Sequence, residues 1–340
     1  MIWRDRWFQV FIVTKPWNKD ATALKYLIGQ VDTKTKNAIK MACRVDINDS
    51  MTGVAANATV SISGLSARTL YMLSSEMARY IQFPQYSYIE LNAGYSNCHG
   101  VIYRGSIMEA VPDMTSPDYK ITMKCTGLAD IDNSAPISTS YAGRVDVRLV
   151  LKDIAKQTGM TFVDKTRNKL LNYYVDNVCC NNLSITQLCC LLQQQNRHFG
   201  IYLEKGNKTK FSGSHVLIDQ DLSAGNIVLY DADTQKIVDG TLYNKVVKID
   251  SRWIVGAPII TELGCTLTIR FRPDIVGLDV VEIHSSRYPE LATRKFIVSN
   301  IRTQLDTKGS TWYKVLTLVY PGCSLFGKPS IYAGVSSGQV

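Results

Sequence analysis

Residues 88–127 read YIELNAGYSNCHGVIYRGSIMEAVPDMTSPDYKITMKCTG, and residues 280–322 read VVEIHSSRYPELATRKFIVSNIRTQLDTKGSTWYKVLTLVYPG. Each stretch holds a short apolar strand, a polar loop, a strand carrying Ile107 or Ile301, a polar connection, and a strand opening on Tyr-Lys. Ile107 and Tyr119 lie twelve residues apart, as do Ile301 and Tyr313, which predicts the same three-strand meander twice. Within the first copy Tyr119, Ile121, Met123 and Cys125 alternate with Lys120, Thr122, Lys124 and Thr126. Ahead of the second, Cys265, Leu267, Ile269 and Phe271 alternate with Thr266, Thr268, Arg270 and Arg272. Period two puts one set in a core and the other against water or a partner. Both regions read as half-buried antiparallel sheets, whose edges closure into barrels would remove.

Outward from these stretches, WFQVFIVTK at 7–15 and MACRVDIN at 41–48 read as strands, with a further strand near 23–30. In ATVSISGLSARTLYMLSSE, Val60 and Ile62 share a strand face, Gly64 breaks the strand, and Ser66 is a helix N-cap. Leu70, Leu73 and Met77 then mark one face of a short helix. From 144 to 204 the pattern changes. Val147, Leu151, Ile154 and Ala155 recur at helical spacing, Gly159 caps, and MTFV begins a strand. The phrase returns with Ser184 as N-cap, Leu188, Leu191 and Leu192 inward, Gly200 as stop and IYLE as strand. Residues 205–213 form a polar loop and 223–245 carry short strands. The expected fold is α+β and mainly β. A first antiparallel β-barrel module spans 1–142, an α/β insert of two helix-strand units 143–232, and a second tube-like barrel 233–325. An extended polar arm follows at 326–340.

Bulk properties restrict function. Net charge is +9, but Lys and Arg scatter, with KTRNK (165–169) and KGNKTK (205–210) the densest runs. They read as a solvated surface with basic loops rather than a nucleic-acid patch. A hydrophobic content of 46% supports sizeable cores, yet no run approaches a membrane span. The opening MIWRDRWFQVFIVTK is too interrupted for a signal peptide, so folding in the cytoplasm is expected.

Catalytic signatures do not emerge: G-x-S-x-G, H-E-x-x-H and a phosphate loop are missing from the sequence. His99, His198, His215 and His284 fall in four segments and read as core or surface histidines. The nine cysteines include the adjacent pairs Cys179-Cys180 and Cys189-Cys190, which lack C-x-x-C spacing and read as small buried thiols. Asp130 and Asp132 read as turn formers without the other ligands of a calcium loop. Gly94, Gly100, Gly105, Gly127, Gly264, Gly277, Gly309 and Gly322 read as strand-end glycines serving positive φ or bulges. Tyr86, Tyr88, Tyr95, Tyr103 and Tyr119 read as strand packing rather than a base-stacking surface. No catalytic, metal or cofactor residue is assigned, and no cofactor is expected.

Four segments resemble the baseplate hub, or tail hub, proteins of long-tailed bacteriophages, which are related to the hub region of type VI secretion spike proteins. They are ATVSISGLSARTLYML, YIELNAGYSNCHGVIYRGSI, the pair LVLKDIAKQTGMTF and LCCLLQQQNRHFGIYLE, and KFIVSNIRTQLDTKGSTWYKVLTL. The resemblance covers most of 7–322 and departs at Gln304, where the family often has His, and at Asp306-Thr307-Lys308-Gly309. It implies a structural virion protein of the tail baseplate: a homotrimer presenting six barrels around a pore, joining the tail tube to a central spike and lining the DNA channel. Implied partners are further copies of the chain, a tail tube or distal tail protein, the spike and other baseplate proteins. Passing DNA is met only non-specifically, and no membrane is inserted. The arm at 326–340 is expected to contact a neighbouring tail component. Two other classes remain open from the sequence: a tail-associated peptidoglycan hydrolase or peptidase, and a nucleic-acid-binding β-barrel.

Overall fold

A computed structural model describes residues 6–14, 24–32, 42–50, 56–70, 73–74, 88–95, 98–115, 118–127, 136–166, 173–196, 198–205, 225–232, 246–292, 294–321 and 323. Met77, Asp130, Asp132, His215, most of 205–213 and the 326–340 arm lie outside them. The first strands are β1 (Arg6–Thr14), β2 (Leu24–Asp32), β3 (Ala42–Ser50) and β4 (Asn57–Ser63). They are followed by β5 (Tyr88–Tyr95), β6 (Cys98–Asp113) and β7 (Lys120–Thr126). They lie side by side in the order β3-β4-β7-β6-β5-β1-β2, all antiparallel. Alternation decides the faces: Cys43, Val45, Ile47, Val60, Ile62, Ile121, Met123 and Cys125 enter one core with Phe8, Ile89 and Leu91. Ser66 caps a short helical segment as expected, its Oγ accepting from Thr69 N at 3.1 Å, and Leu70 and Leu73 are buried beneath the sheet.

Between the two meanders lies the insert. β8 (Ile137–Asp146) pairs with β10 (Tyr174–Leu183), while β9 (Thr161–Asp164), β11 (Phe199–Lys205) and β12 (Gly225–Asp231) form a second small sheet. Two helices, α1 (Val147–Thr158) and α2 (Ile185–Gln195), share a separate apolar core with these strands. Gly159 ends α1 with φ 69°, its N–H donating to Ala155 O. Ser184 and Gln187 form a reciprocal capping box at the start of α2. Two expectations fail here. Leu191 is 43% exposed, because the apolar stripe of α2 runs through Ile185, Leu188, Cys189 and Leu192. Gly200 does not stop the helix, which ends at Gln195; it lies in β11, where a Cβ would run into the Tyr230 ring.

The last strands are β13 (Val246–Asp250), β14 (Ile259–Thr261), β15 (Gly264–Arg270), β16 (Val280–His284), β17 (Lys295–Asp306) and β18 (Trp312–Val319). Their order is β14-β15-β18-β17-β16-β13. This repeats the first set: β14 and β15 stand for β3 and β4, β18 for β7, β17 for β6, and β16 for β5. The last position differs, since β13 runs parallel to β16 whereas β1 runs antiparallel to β5. Both long strands are interrupted at the same place. One extra residue, Met108 in β6 and Ser299 in β17, bulges out opposite β7 and β18 respectively.

With the bulges superposed, Tyr88-Ile89-Glu90 falls on Val280-Val281-Glu282, and Glu90 opposite Arg104 falls on Glu282 opposite Lys295. The equal Ile-to-Tyr spacings do not mark equivalent residues, because Ile107 corresponds to Val298 and Tyr119 to Trp312. The glycine expectation also changes. Among the described glycines positive φ occurs at Gly64, Gly143, Gly159 and Gly256, whereas Gly264 is required because a Cβ there would strike the Leu318 carbonyl.

The two sets are one sheet of 13 strands. The first part of β17 pairs with β16, and its second part, Asn300–Asp306, pairs along the same edge with β3. The two cores also meet, since Phe271, Leu305 and Trp312 from the last strands are packed into the core of the first. The fold is therefore mainly β with a small α/β insert, and among the described strands no pairing closes either set into a barrel.

Candidate assembly surface

Opposite the apolar face, the sheet carries a mainly polar face that crosses from one strand set to the other, with Met108 and Val315 among its members. Asp46 and Asn48 of β3, Asn57 and Thr59 of β4, and Lys124 and Thr126 of β7 contribute from the first set. Asn300 and Arg302 of β17 and Val315 and Thr317 of β18 contribute from the second. Together they line an open depression of about 730 Å³. Lys120, Ser61, Thr122, Thr268 and Arg270 share this face by register. Arg272 does not: past the end of β15 it turns to Asp274 at 2.6 Å and lies over the Trp253 ring.

Ion pairs hold the junction of β17 with β3. Arg302 grips Asp46 with two bonds, Nε to Oδ1 at 3.0 Å and Nη2 to Oδ2 at 2.6 Å, and Gln304 Nε2 donates to the same carboxylate at 3.2 Å. The bond from Arg302 holds the Asp46 carboxyl below its usual range against the opposing effect of burial. One turn further, Arg44 pairs with Asp306 at 3.2 Å. Burial pushes the Asp306 carboxyl up, but N–H groups of Gly309 and Lys308 together with Arg44 outweigh it and leave it lowered. Arg6 of β1 donates to Asp306 O at 3.0 Å and Gly309 O at 2.6 Å while stacking over Trp312. Cys43 N–H donates to Thr307 Oγ1 at 2.8 Å. Gln304 and the 306–309 turn, where the resemblance is weakest, are thus the anchor between the two strand sets.

The remaining candidates stay apart. His99 stacks on Trp7, His284 sits 3.3 Å from Glu282, and His198 lies in the insert. Cys179 is exposed and Cys180 buried, on opposite faces of β10. Burial pushes the Cys265 thiol up to about 11 and Cys125 to about 12, the reverse of an activated nucleophile. Among the described residues no group of three or more His, Cys, Asp or Glu converges as a metal site. No helix among them is long and apolar enough to cross a membrane.

The Baseplate hub gp41 family matches residues 24–317, a span that contains the polar face, the insert, the first meander and all but the last residues of the second. The chain belongs to that family. It is a bacteriophage tail structural family, and the match points to no catalytic chemistry. Solved structures carry the same fold at low identity. A tail protein from Neisseria meningitidis has a TM-score of 0.54 at 11% identity over 95% of this chain and 99% of that one. The 43 kDa tail protein of prophage MuSo2 from Shewanella oneidensis has a TM-score of 0.51 at 10% identity over 94% and 98%. The c3393 protein of E. coli, a type VI secretion component described as similar to phage tail proteins, scores 0.53 at 8% identity over 86% and 78%. No curated protein matches the sequence.

Periodicity locates Lys120, Lys124 and Arg270 of this hub's polar face, but neither Arg302 nor its partner. Asp46 and Arg302 are 256 residues apart, and nothing in either local pattern links them.

Proposed function

We propose that this baseplate hub works as a homotrimer, each chain contributing two barrel-like modules to a pseudo-sixfold ring that joins the tail tube to the central spike and lines the DNA channel. The observation that carries the reading is the strand order β3-β4-β7-β6-β5 repeated as β14-β15-β18-β17-β16, with a bulge at the same place in the long strand. A chain with two like units can satisfy sixfold neighbours with three copies, and a head-to-tail ring closes when the rotations sum to a full turn. The modules would occupy 1–142 and 233–325, the insert 143–232, and the arm at 326–340 would reach a neighbouring tail protein.

The polar face suits a channel wall. Arg302, Arg44 and Lys124 are each neutralised by a carboxylate, Asp46, Asp306 and Glu109 respectively. Free cations bind DNA by releasing counterions, and paired ones have little to gain from it. A wall with these three cations paired would hold passing DNA less tightly than one of free cations. Hydroxyl and amide groups of Asn57, Thr59, Thr126 and Thr317 fill the rest of the face.

Counting copies in purified tails by mass and imaging them tests the reading. Three copies in one ring between the tube and the spike are expected. Six copies, one copy, or a position away from the axis would overturn it.

A further inference from the structure

Among the described residues, the repeat leaves one edge occupied in the second strand set and without a strand partner in the first. In β17 the stretch after the bulge, Asn300–Asp306, is covered by β3. Its counterpart after the bulge of β6 begins at Glu109 and runs through Met114; on that side β5 ends at Tyr88 opposite Ser106, and no described strand continues the ladder. The counterpart of β3 is β14, and on its outer side no described strand pairs with it. We propose that these two edges meet between copies: β14 of one hub chain pairs antiparallel with β6 of the next. This repeats in trans the β17·β3 junction that each chain makes within itself. The proposal rests on the ring reading and specifies its interface.

The register follows from the pairing. Within the chain Arg302 faces Asn48, Thr303 faces Ile47 and Gln304 faces Asp46. Carrying β17 onto β6 and β3 onto β14 sets Val111 opposite Thr261 of the neighbouring copy, Pro112 opposite its Ile260, and Asp113 opposite its Ile259.

The side chains at these places change together. The Arg302–Asp46 ion pair of the internal junction corresponds to Val111 and Ile259, both apolar, so a charge pair is replaced by a complementary apolar pair at both ends at once. Those side chains are large, apolar and exposed in the single chain: Val111 at 50%, Met114 at 58%, Ile259 at 65% and Ile260 at 52%. Apolar groups clustered on an open sheet edge invite strand addition.

Pro112 adds selectivity. Thr307 N–H donates to Cys43 O on the β3 side, while Asp306 N–H donates to Thr311 O on the β18 side, so beyond the bulge the N–H groups of odd-numbered β17 residues point to β3. Thr303 is one of them, and its counterpart Pro112 turns a nitrogen without hydrogen to the open edge. Pairing with β7 stays intact, the carbonyl remains an acceptor, and the edge lacks one donor that an unselective partner strand would need.

Charge replacement tests the junction in the full chain. Val111→Arg alone and Ile259→Asp alone bury a charge against an apolar partner and are expected to weaken self-association about tenfold or more. The double variant, made together with Asp113→Gln so that position 113 matches Gln304, recreates the internal ion pair and is expected to recover it. Sedimentation of the purified protein and incorporation into tails supply the readouts, and circular dichroism checks that each exposed substitution leaves the fold intact. In a second arm, Val111→Cys with Thr261→Cys, which the register sets directly opposite, is oxidised by Cu(II)-phenanthroline inside assembled tails, with wild type and single variants as controls. A chain-to-chain disulfide that appears only in the double variant supports the junction. Intact rings from both single-charge variants, with no cross-link, would overturn this junction and leave the ring reading standing. Wild-type tails without a ring of this chain would overturn both.

Discussion

Met108 and Ser299, in strands that lie 191 positions apart in the sequence, are each the residue that bulges from a long strand opposite the strand that follows it. A bulge bends the strand and redirects the edge beyond it. Beyond Ser299 that redirected edge meets β3, and the ion pairs there lead to the first expectation.

Acid should loosen the seam between the two strand sets before it unfolds either core. Asp46 and Asp306 both have lowered pKa values in the folded chain. Their contribution is therefore fully present above the unfolded carboxylate value of about 3.9 and is lost as pH falls through the folded values. Melting temperature measured from pH 6 down to pH 2 should drop less steeply in Asp46→Asn than in wild type. Equal slopes would remove Asp46 from the acid response.

Trp312 is expected to couple the cores. Its ring meets Phe8 at 6.3 Å and Phe271 at 5.9 Å, both edge to face, and Arg6 lies over it. Trp312→Ala should cost about 3–5 kcal/mol. Urea unfolding followed by fluorescence and circular dichroism should change from one transition towards two, and an unchanged midpoint would contradict the coupling.

Gly264→Ala should be far more damaging than its size suggests. The added methyl meets the Leu318 carbonyl in the β15·β18 ladder, where backbone rather than a flexible side chain must move. A loss of about 1–3 kcal/mol is expected by overpacking, read as a lower urea midpoint. Gly256→Ala is also unfavourable, but through its φ of 73°, since the space around it is open.

In the insert, Ser184→Ala removes the hydroxyl that receives Gln187 N–H at 3.3 Å. The cost is about 1 kcal/mol. Hydrogen exchange at the first turn of α2 should quicken while the amides of β17 and β18 keep their protection, because the insert has its own core.

What the sequence reveals here is what repeats locally. The alternation through Lys120–Thr126 and Gly264–Arg270 places the core residues of β7 and β15 on the correct face, except that Tyr119, just before β7, is exposed rather than in the core; the caps at Ser66, Gly159 and Ser184 are set by neighbouring residues. Leu191 was misplaced because an apolar residue beside an apolar stripe satisfies helical spacing without facing the core. Gly200 was misread because a glycine demanded by the Tyr230 ring looks the same in sequence as a helix stop. The true alignment of the meanders is hidden by the connections: the equivalents of Ile107 and Tyr119 are Val298 and Trp312, which lie fourteen residues apart rather than twelve because the second connection is two residues longer. The β17·β3 seam was invisible for a deeper reason: which strand edges meet is a matter of three-dimensional order, and Asp46 and Arg302 become partners only through it.

The division of β17 between β16 and β3 also bears on assembly kinetics. A pairing made inside one chain forms at a local concentration fixed by the connecting polypeptide, not by how much protein the cell has made. That seam therefore closes during folding, at any expression level. Encounters between chains are left with only the remaining seams to form, so a shortage of hub subunits would slow the completion of particles without leaving half-made seams inside each subunit.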